Sequence, residues 1–419
     1  MTTLPPRSGS LLGSTYRLIR APYAFYDAPR VHGDWVTVPA PNGTVVMALT
    51  PKAVSEVLKT DPTALDAFAV QATIPLLGHS LITSSGEIHR RDRKLLTPPF
   101  HGERMRAYGE TMREVTLAHT QGWRPGMQVR AHDVTTAISL DVILRTVFGV
   151  SGSAIDEGRR VLRDILTGFS PLLAFTDKLQ RPWFPAWRRF LVARAAYGAM
   201  VDRELAERRR RADPGEDILG LLLGARYDDG SGMSDAQIRD QLLTLLIAGH
   251  ETTAIALAWA LYYLARSPAM IERLRAEPTD EPYLQAVCNE SLRIHTVVPD
   301  TLRRLNRPVE LGGFTVPVGM DIGMAICALH TDPSLYPEPH VFRPERFLER
   351  KYSPFEFLPF GGGHRRCLGA AFADYEMKIV LASVISRFDL EPDGDDRPTR
   401  RNVTMGPERG VPLRVRAVR

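Results

Sequence analysis

Apolar and polar residues follow different periods along the chain, and each period predicts a different kind of element. Residues 35–50, WVTVPAPNGTVVMALT, are rich in β-branched residues on both sides of Asn42-Gly43, which predicts a β-hairpin. Helical patterns dominate from about residue 51 to residue 298. Residues 309–327 alternate and carry glycine pairs, which predicts short strands, whereas residues 331–366 hold many prolines and are mostly irregular. A last helix is predicted from Leu368 to Phe388, and short strands end the chain.

The longest predicted helix carries an unusual polar centre. It opens at Ser234, because Ser234 and Gln237 have the spacing of a capping box, and it stops at Pro268. Its middle, residues 242–263, is mostly apolar, and a helix that is apolar all round is buried on all sides. Yet residues 249–253 read GHETT, and such a cluster is costly there unless it has partners or a function.

Composition restricts the class of protein. The 419 residues are 44% hydrophobic and 24% charged, as in ordinary globular proteins, which excludes disordered and collagen-like chains. The three cysteines, Cys288, Cys327 and Cys367, are too few for a disulfide framework and indicate a reducing compartment. We expect Cys288 and Cys327 to fill core space. No stretch approaches ~18 uncharged apolar residues and the first residues lack a signal-peptide core, so we expect no membrane span and a cytoplasmic protein.

Charge alone identifies no ligand. The net charge of +5 does not require nucleic acid, and we see no stripe of basic and aromatic residues of the kind that such binding needs. An acidic protein partner fits the charge equally well. The basic run from Glu207 to Arg211 is expected to be a solvated helix end that leads into a loop.

One cysteine lies in a glycine-rich loop that reads FGGGHRRCLG, residues 360–369. Cys367 is flanked by arginines and lies just before a predicted helix, and both features stabilise a thiolate. Glycines let the backbone approach a flat ligand and point N–H groups at sulfur. The alternative is a buried structural cysteine in a tight loop. The full pattern, Phe-x-x-Gly-x-Arg-x-Cys-x-Gly, is expected by chance only about once in 10⁴ such chains, which favours a thiolate site.

A second motif is AGHETT, residues 248–253, at the centre of the long helix. Gly249 removes a side chain, so a large flat ligand could lie against the helix. Thr252 can hydrogen-bond back to a carbonyl one turn earlier and open the helix locally, and Glu251 can relay protons. The alternative is a threonine-rich turn that faces a neighbouring helix. His250 is expected to be a packing or solvent-facing position.

Two further motifs combine charged residues at helical spacing. Glu290 and Arg293 share a helix face, a spacing that is by itself typical of a surface ion pair. His89 and Arg93 share a face within HRRDRKLL, residues 89–96, which is by itself typical of a basic solvated helix. The other basic residues of that segment point elsewhere: Arg90, Arg91 and Lys94.

Together the four motifs resemble the cytochrome P-450 family of haem-thiolate monooxygenases, in the family's order and spacing over nearly the whole chain. The resemblance implies a mainly α-helical fold with a smaller β-rich portion, in a single domain over residues 1–419 around a haem b. It makes Cys367 the axial ligand of the haem iron, where a thiolate favours O–O cleavage. With neither a membrane anchor nor an appended redox domain among these motifs, the chain is similar to the soluble bacterial members.

The resemblance also implies the other residues around the haem. The implied cofactor-binding residues are Cys367, Arg365, His89, Arg93, Arg303, Phe360, Gly361, Gly369 and Ala248. The four basic residues would pair with the haem propionates, because a buried dianion requires counter-charges. Phe360 would pack beside the sulfur, and Ala248 would border the distal face.

Catalytic and structural roles are implied in the same way. Thr252 would be the catalytic alcohol that delivers protons, and Glu251 would be its acidic partner. Glu290, Arg293 and Arg346, the last from FRPERF at residues 342–347, would form a structural network that holds the chain before the Cys367 loop.

The implied reaction is hydroxylation or epoxidation of a lipophilic small molecule, such as a fatty acid, terpene, steroid or polyketide, in secondary metabolism. It would use O2 and electrons from a separate acidic ferredoxin or flavodoxin with its NAD(P)H reductase. The outward charges of the helix at residues 89–96, with Arg366, suggest a docking patch for that donor. Two alternatives remain: a peroxide-driven or rearranging haem-thiolate enzyme, and a haem sensor or carrier without turnover.

The substrate pocket is expected, by family position, to be mostly apolar. Its implied lining is a loop near Phe68–Leu77, then Thr244, Ile247 and Ala248, and finally Val297–Thr301 and Thr404–Met405. The Thr244 hydroxyl could contact a polar group of the substrate, although we expect it to bond back to its own helix. Asp300 could anchor a polar group of the substrate or cap its own loop.

Overall fold

The computed structural model describes residues 4–21, 23–26, 33–40, 43–102, 104–150, 153–168, 173, 177–211, 215–276, 281–401 and 403–419. The chain divides into two compact units. The first comprises Met1–Phe68, Thr116–Thr136 and Thr252–Arg419, and the second comprises Ala69–Val115 and Ala137–Glu251.

All strands of the described residues belong to the first unit. They are β1 Trp35–Ala40, β2 Gly43–Ala48, β3 Leu65–Ala67, β4 Gln128–Arg130, β5 Thr301–Leu305, β6 Val309–Leu311, β7 Phe314–Val316, β8 Asp321–Met324, β9 Phe388–Pro392, β10 Pro398–Arg401, β11 Thr404–Pro407 and β12 Pro412–Val418. The main sheet has the order β1-β2-β8-β5-β3, in which only β2 and β8 run parallel. A smaller sheet has the order β4-β12-β9, and β6-β7 and β10-β11 form separate pairs.

Helical residues outnumber strand residues in the first unit and make up most of the second, which confirms the predicted fold class, mainly α with a smaller β-rich portion. The first unit holds Leu11–Arg20, Pro51–Lys59, Pro268–Ala276, Glu281–Ile294, Ile326–His330, Arg346–Glu349 and Ala370–Ile385. The second unit holds Val70–Leu77, Gly86–Leu96, Ser153–Gly168, Pro185–Arg210 and Ile218–Gly224. Three helices contribute residues to both units: Arg104–Thr120, Ala131–Phe148 and Asp235–Ala265.

The predicted hairpin is present as β1 and β2, paired from Trp35 opposite Ala48 to Ala40 opposite Gly43. Residues 41 and 42, where the turn was predicted, lie outside the described residues. Alternate side chains of these strands enter two different apolar clusters, since successive residues of a strand point to opposite faces. Trp35 and Val46 belong to one cluster, and Val36 and Met47 belong to the other. Burial on both faces explains why the hairpin sequence is nearly continuously apolar.

The long helix, Asp235–Ala265, has the predicted capping box. The Ser234 backbone N–H donates to Gln237 Oε1 (2.9 Å), and the Gln237 N–H donates to Ser234 Oγ (3.3 Å). The helix ends at Ala265, and Pro268 begins the next helix. Residues 254–261 are all buried, as the apolar pattern predicts.

By length and apolar composition, the long helix alone among the described residues could cross a membrane. Its most apolar window has a mean hydropathy of 1.4, and 67% of that window is buried inside the protein. The buried core helix of a globular protein has the same properties, so this is weak evidence for a membrane span.

Two local predictions are wrong. The predicted loop near Phe68–Leu77 is mostly the helix Val70–Leu77, which forms in spite of Pro75 because Leu76 and Leu77 are buried. The run from Glu207 to Arg211 is not fully solvated, since Arg208 is only 4% exposed. Helical spacing explains this burial.

Arg208 lies on the same helix face as Val201 and Leu205, which are also buried. Its guanidinium donates to Glu204 (2.6 Å), to Asp217 (2.6 Å) and to the Phe148 carbonyl (2.8 Å). The residues after Arg211 that were predicted as a loop, 212–214, lie outside the described residues.

Smaller shifts occur at predicted boundaries. The segment 309–327 forms strands as far as Met324, but Ile326–His330 is a short helix. The last predicted helix spans Ala370–Ile385. Cys288 and Cys327 are buried, as predicted for core-filling residues.

Candidate active site

The cysteine loop of the first unit is closed by one backbone hydrogen bond. The Cys367 N–H donates to the Phe360 carbonyl oxygen (2.9 Å), and Cys367 itself is exposed. Gly361 and Gly363 have φ angles of +67° and +65°, which favour glycine. A Cβ on Gly362 would lie 2.7 Å from Leu58 Cδ1, so this glycine permits close packing. Backbone conformation and packing therefore both require the glycine run.

Two arginines come together beside this loop. Arg365 belongs to the 3₁₀ turn Gly363–Arg365, and Arg303 lies in β5, where its Nη1 donates to the Leu302 carbonyl (2.7 Å). Burial and, to a smaller extent, the nearby positive charge of Arg365 together lower the pKa of Arg303 to about 10. Two half-buried guanidinium groups that disfavour each other's charge form a site that suits a bound anion.

The helix Gly86–Leu96 of the second unit separates its basic residues by face, as predicted. His89 is only 4% exposed and Arg93 is half-buried. The other three basic residues are exposed, and each forms an ion pair with a carboxylate. The pairs are Arg90 with Glu87 (2.8 Å), Arg91 with Asp229 (3.3 Å) and Lys94 with Asp228 (2.7 Å). These six groups carry no net charge, so the expected basic patch is largely neutralised on this helix.

The AGHETT segment reaches from the second unit, which ends at Glu251, into the first. Ala248 is exposed, but a Cβ on Gly249 would lie 2.9 Å from Ile143 Cδ1. Gly249 therefore makes room for Ile143, which corrects the expectation that it makes room for a flat ligand. His250 is buried, and its Nδ1 lies 3.2 Å from the Leu246 carbonyl oxygen. Burial lowers the pKa of His250 to about 4, so it is a neutral packing residue at pH 7.

Glu251 and Thr252 are both half-buried. Glu251 is the sole carboxylate among residues 241–265, in a segment that is otherwise almost entirely apolar. The backbone is α-helical throughout Asp235–Ala265, so the local opening expected at Thr252 is not seen among these described residues.

The Glu290 network is present and fully buried in the first unit. Glu290 accepts from Arg293 Nε and Nη2, both at 2.7 Å, and from Arg346 Nε at 3.1 Å. The three side chains are at most 1% exposed, so the surface ion pair that the spacing alone would suggest is excluded. Arg346 Nη1 also donates to the Pro337 carbonyl (2.9 Å), which ties the irregular segment to the network.

The comparison with protein families decides the identity of this arrangement. The profile of the family described as Cytochrome P450 matches residues 5–411, which includes both units. The chain belongs to the cytochrome P450 family. It is therefore a haem-thiolate monooxygenase, and the cofactor that its family carries is protoporphyrin IX haem iron.

Relatives and solved structures agree with this assignment. Cytochrome P450 138 of Mycobacterium tuberculosis is 38% identical over 88% of this chain and 85% of its own. Cytochrome P450 135B1 of the same organism is 36% identical over 90% and 83%. The structure of a retinoic-acid-bound cyanobacterial CYP120A1 has a TM-score of 0.88 and 26% identity, over 99% of both chains. The haem domain of cytochrome P450DA has a TM-score of 0.87 and 26% identity, over 100% and 99%.

The residues of the first unit fit the haem of a P450. A haem carries two propionates, and Arg303 with Arg365 is a pair of like charges that a dianion would relieve. No heavy atom of the described residues lies within 4 Å of a Cβ built on Gly361 or Gly369, so the backbone there can approach a flat ligand. Cys367 supplies the soft sulfur donor that this iron site needs.

The predicted pocket segments of the first unit are held together. The Met405 N–H donates to the Val297 carbonyl (2.8 Å), which fastens β11 to the segment Val297–Thr301. Asp300 accepts a hydrogen bond from the Tyr26 hydroxyl (3.1 Å), a partner far from its own loop. In the second unit, Thr244 Oγ1 is buried without a hydrogen-bond partner among the described residues, so the expected bond to its own helix is not formed.

Two cavities of the second unit, of about 420 Å³ and 640 Å³, lie elsewhere. Among the described residues, neither is lined by a predicted haem or substrate residue. Both are edged by charged side chains that pair with each other, as Arg203 does with Glu157 and Arg239 does with Asp202 (2.8 Å). We assign them no role in the active site.

Sequence reasoning missed two residues of the first unit, Tyr26 and Arg400. Tyr26 lies 274 positions from Asp300, and its helical neighbours gave no signal of that contact. Arg400 lies in β10 directly opposite Met405 of the predicted pocket lining. A hairpin prediction over residues 398–407 would have found this pairing.

Proposed function

We propose that this P450 hydroxylates or epoxidises a lipophilic small molecule, a fatty acid, terpene, steroid or polyketide, as a step of secondary metabolism. The reaction uses O2 and electrons from a separate acidic ferredoxin or flavodoxin with its NAD(P)H reductase, in the cytoplasm. Both units act as one domain over residues 1–419. The observation that carries the proposal is the Glu251–Thr252 pair in the middle of an apolar helix.

Haem, when bound, supplies the activation of dioxygen. Cys367 would hold the iron, and four basic residues would hold the propionates: His89, Arg93, Arg303 and Arg365. Four further residues would border the ring: Phe360, Gly361, Gly369 and Ala248. The closeness of Arg303 and Arg365 supports this arrangement, because two bound carboxylates would offset the repulsion between the two positive charges.

Glu251 and Thr252 move protons. Both side chains are half-buried, so the Glu251 carboxylate can exchange protons with solvent and the Thr252 hydroxyl can both accept and donate one. A carboxylate in an otherwise apolar stretch of helix is costly unless it has partners or a function. Peroxide-driven and rearranging enzymes of this family need no such proton delivery, so the pair favours a monooxygenase.

The pocket residues favour a lipophilic substrate. Val297, Val298, Pro299 and Met405 contribute apolar side chains to the segments that we assign to the pocket wall. The solved cyanobacterial relative binds retinoic acid, which is itself a lipophilic molecule. Water exclusion by such a wall also protects the reacting groups from side reactions.

The electron donor docks near the cysteine loop in this proposal. Arg366 is exposed and directly precedes Cys367, and Arg90, Arg91 and Lys94 are exposed on the helix Gly86–Leu96, each beside a carboxylate. An acidic donor would be steered by Arg366 together with these outward charges, and complementary charge acts chiefly on the association rate.

Thr252→Ala tests the proposal, with Thr252→Ser as the matched control that keeps the hydroxyl. Product formed per NADPH consumed, measured with a surrogate ferredoxin and reductase and a turned-over lipophilic compound, should fall roughly 10²-fold or more in the alanine variant. The serine variant should keep most of the yield. Full O2- and NADPH-dependent yield in Thr252→Ala would contradict the proposed proton delivery.

A further inference from the structure

We propose that Arg400 binds a carboxylate of the lipophilic substrate and that Asp300, with Tyr26, lies at the same site as its opposing charge. The inference rests on the monooxygenase function proposed above and narrows its substrate to a lipophilic carboxylic acid.

Arg400 belongs to the wall that the pocket segments form. In the β10–β11 pair, Arg400 is directly opposite Met405, and the Met405 N–H donates to the Val297 carbonyl (2.8 Å). The segment Val297–Thr301 continues from there to Asp300. Arg400 and Asp300 therefore belong to neighbouring segments of the first unit, and the charge of Arg400 acts on the Asp300 carboxyl.

The guanidinium of Arg400 has no ion pair and no side-chain hydrogen bond among the described residues, and its Nε is buried. The neighbouring arginines of the hairpin differ. Arg397 is paired with Glu408 (2.6 Å), and Arg401 Nη2 donates to the Pro407 carbonyl (3.0 Å). A partly buried guanidinium without a partner is unfavourable, and its planar fork of donors matches a carboxylate.

Three titratable side chains lie close enough to Arg400 to feel its charge: the Asp300 carboxyl and the phenols of Tyr23 and Tyr26. The Tyr26 hydroxyl donates to Asp300 Oδ2 (3.1 Å), and the Tyr23 hydroxyl donates to the Thr296 carbonyl (2.7 Å). Burial raises the pKa of both tyrosines well above the usual range, so they remain neutral donors. Burial also raises the pKa of Asp300, and the charge of Arg400 partly opposes that rise.

These conditions favour an anion over a cation at this site. Burial penalises the charged form of Asp300, which would have to hold a cation, whereas an arginine keeps its charge in proteins. The Thr301 hydroxyl, next to Asp300 in the chain, is also buried without a partner among the described residues. Besides Arg400, it is another group that can donate a hydrogen bond to a bound carboxylate. A bound carboxylate would be attracted by the charge of Arg400 and repelled by that of Asp300, so the two residues have opposite effects on its affinity.

The test is equilibrium binding to the haem-loaded protein by calorimetry, with dodecanoate, methyl dodecanoate and dodecylamine as probes. The unmodified protein should bind dodecanoate more tightly than the ester. Arg400→Gln should weaken dodecanoate binding roughly 10- to 100-fold and leave the ester unchanged, because a charge-assisted hydrogen-bond pair is lost. Asp300→Asn should leave dodecanoate binding unchanged or tighten it. Arg397→Gln, which removes a surface charge from the same hairpin, should change neither affinity.

The proposal is overturned if the unmodified protein binds dodecanoate no better than the ester, or binds neither. It is also overturned if Arg400→Gln weakens both equally, or if Asp300→Asn abolishes binding and dodecylamine is the preferred probe. A second measurement separates failure of this proposal from failure of the monooxygenase function on which it rests. If the monooxygenase function fails, the carbon monoxide spectrum of the reduced protein lacks the thiolate signature in every variant. If only the preference for an acid fails, that spectrum is intact.

Discussion

The substitution Glu290→Gln removes one negative charge from the buried network and changes little else in shape. Glu290 Oε1 accepts from Arg293 Nη2 (2.7 Å), the Arg343 N–H (2.9 Å) and Arg346 Nε (3.1 Å), and Oε2 accepts from Arg293 Nε (2.7 Å). A glutamine oxygen at the Oε1 position could keep three of these bonds. Its NH2 group would then face the Arg293 Nε–H donor, and two buried guanidinium groups would lose their counter-charge.

The expected loss is about 3–5 kcal/mol of unfolding free energy, the range for removing one partner of a buried ion pair. Urea unfolding of the haem-loaded protein, followed by circular dichroism, measures it. Glu281→Gln is the matched control, because Glu281 lies on the same helix and pairs with Lys378 (2.8 Å) through a 73% exposed carboxylate. The control should lose less than about 1 kcal/mol. Equal losses in the two variants would refute the reasoning.

Two further predictions concern the long helix. Burial lowers the pKa of His250 from 6.5 to about 4. Between pH 4 and pH 6.5, His250 therefore carries a proton in the unfolded chain but not in the folded protein. The contribution of His250 to the unfolding free energy should therefore be full above pH 6.5 and fall by about 1.4 kcal/mol per pH unit towards pH 4, so in urea titrations the pH slope of the unfolding free energy should be smaller by that amount in His250→Gln than in the unmodified protein. Gly249→Ala should destabilise by about 0.5–2 kcal/mol, because the crowding of its Cβ against Ile143 Cδ1, at 2.9 Å, outweighs the roughly 1 kcal/mol that alanine gains over glycine inside a helix. Adding Ile143→Val should recover part of that loss, and equal stability of the single and double variants would contradict the steric explanation.

Local patterns were sufficient to predict the elements that depend on neighbours in sequence. The capping box at Ser234 and Gln237 needs only a spacing of three residues, and its hydrogen bonds are present. The hairpin of β1 and β2 follows from β-branched residues around a turn. The faces of the helix Gly86–Leu96 follow from helical periodicity, which buries His89 and exposes Arg90.

Features that depend on contacts between distant segments were not predictable from the residues alone. The charge spacing of Glu290 and Arg293 is ordinary, and only the resemblance to a family pointed to Arg346, which lies 56 positions away in sequence. Position 249 needs a glycine because a larger side chain there would crowd Ile143, which lies on another helix. Carboxylates from the turn after Tyr227 pair with Arg91 and Lys94 of the helix Gly86–Leu96, and no pattern within that helix reveals them.

The ligation of the haem iron is the central claim about the site. The direct test is the absorption spectrum of the reduced, haem-loaded protein under carbon monoxide, for the unmodified chain, Cys367→Ser and Cys288→Ser. Cys288 is buried, so its substitution controls for the loss of a thiol elsewhere. A strongly red-shifted Soret band in the unmodified protein and in Cys288→Ser, lost in Cys367→Ser, is the predicted result. A red-shifted band that survives in Cys367→Ser, or an unshifted band in the unmodified protein, would contradict thiolate ligation by Cys367.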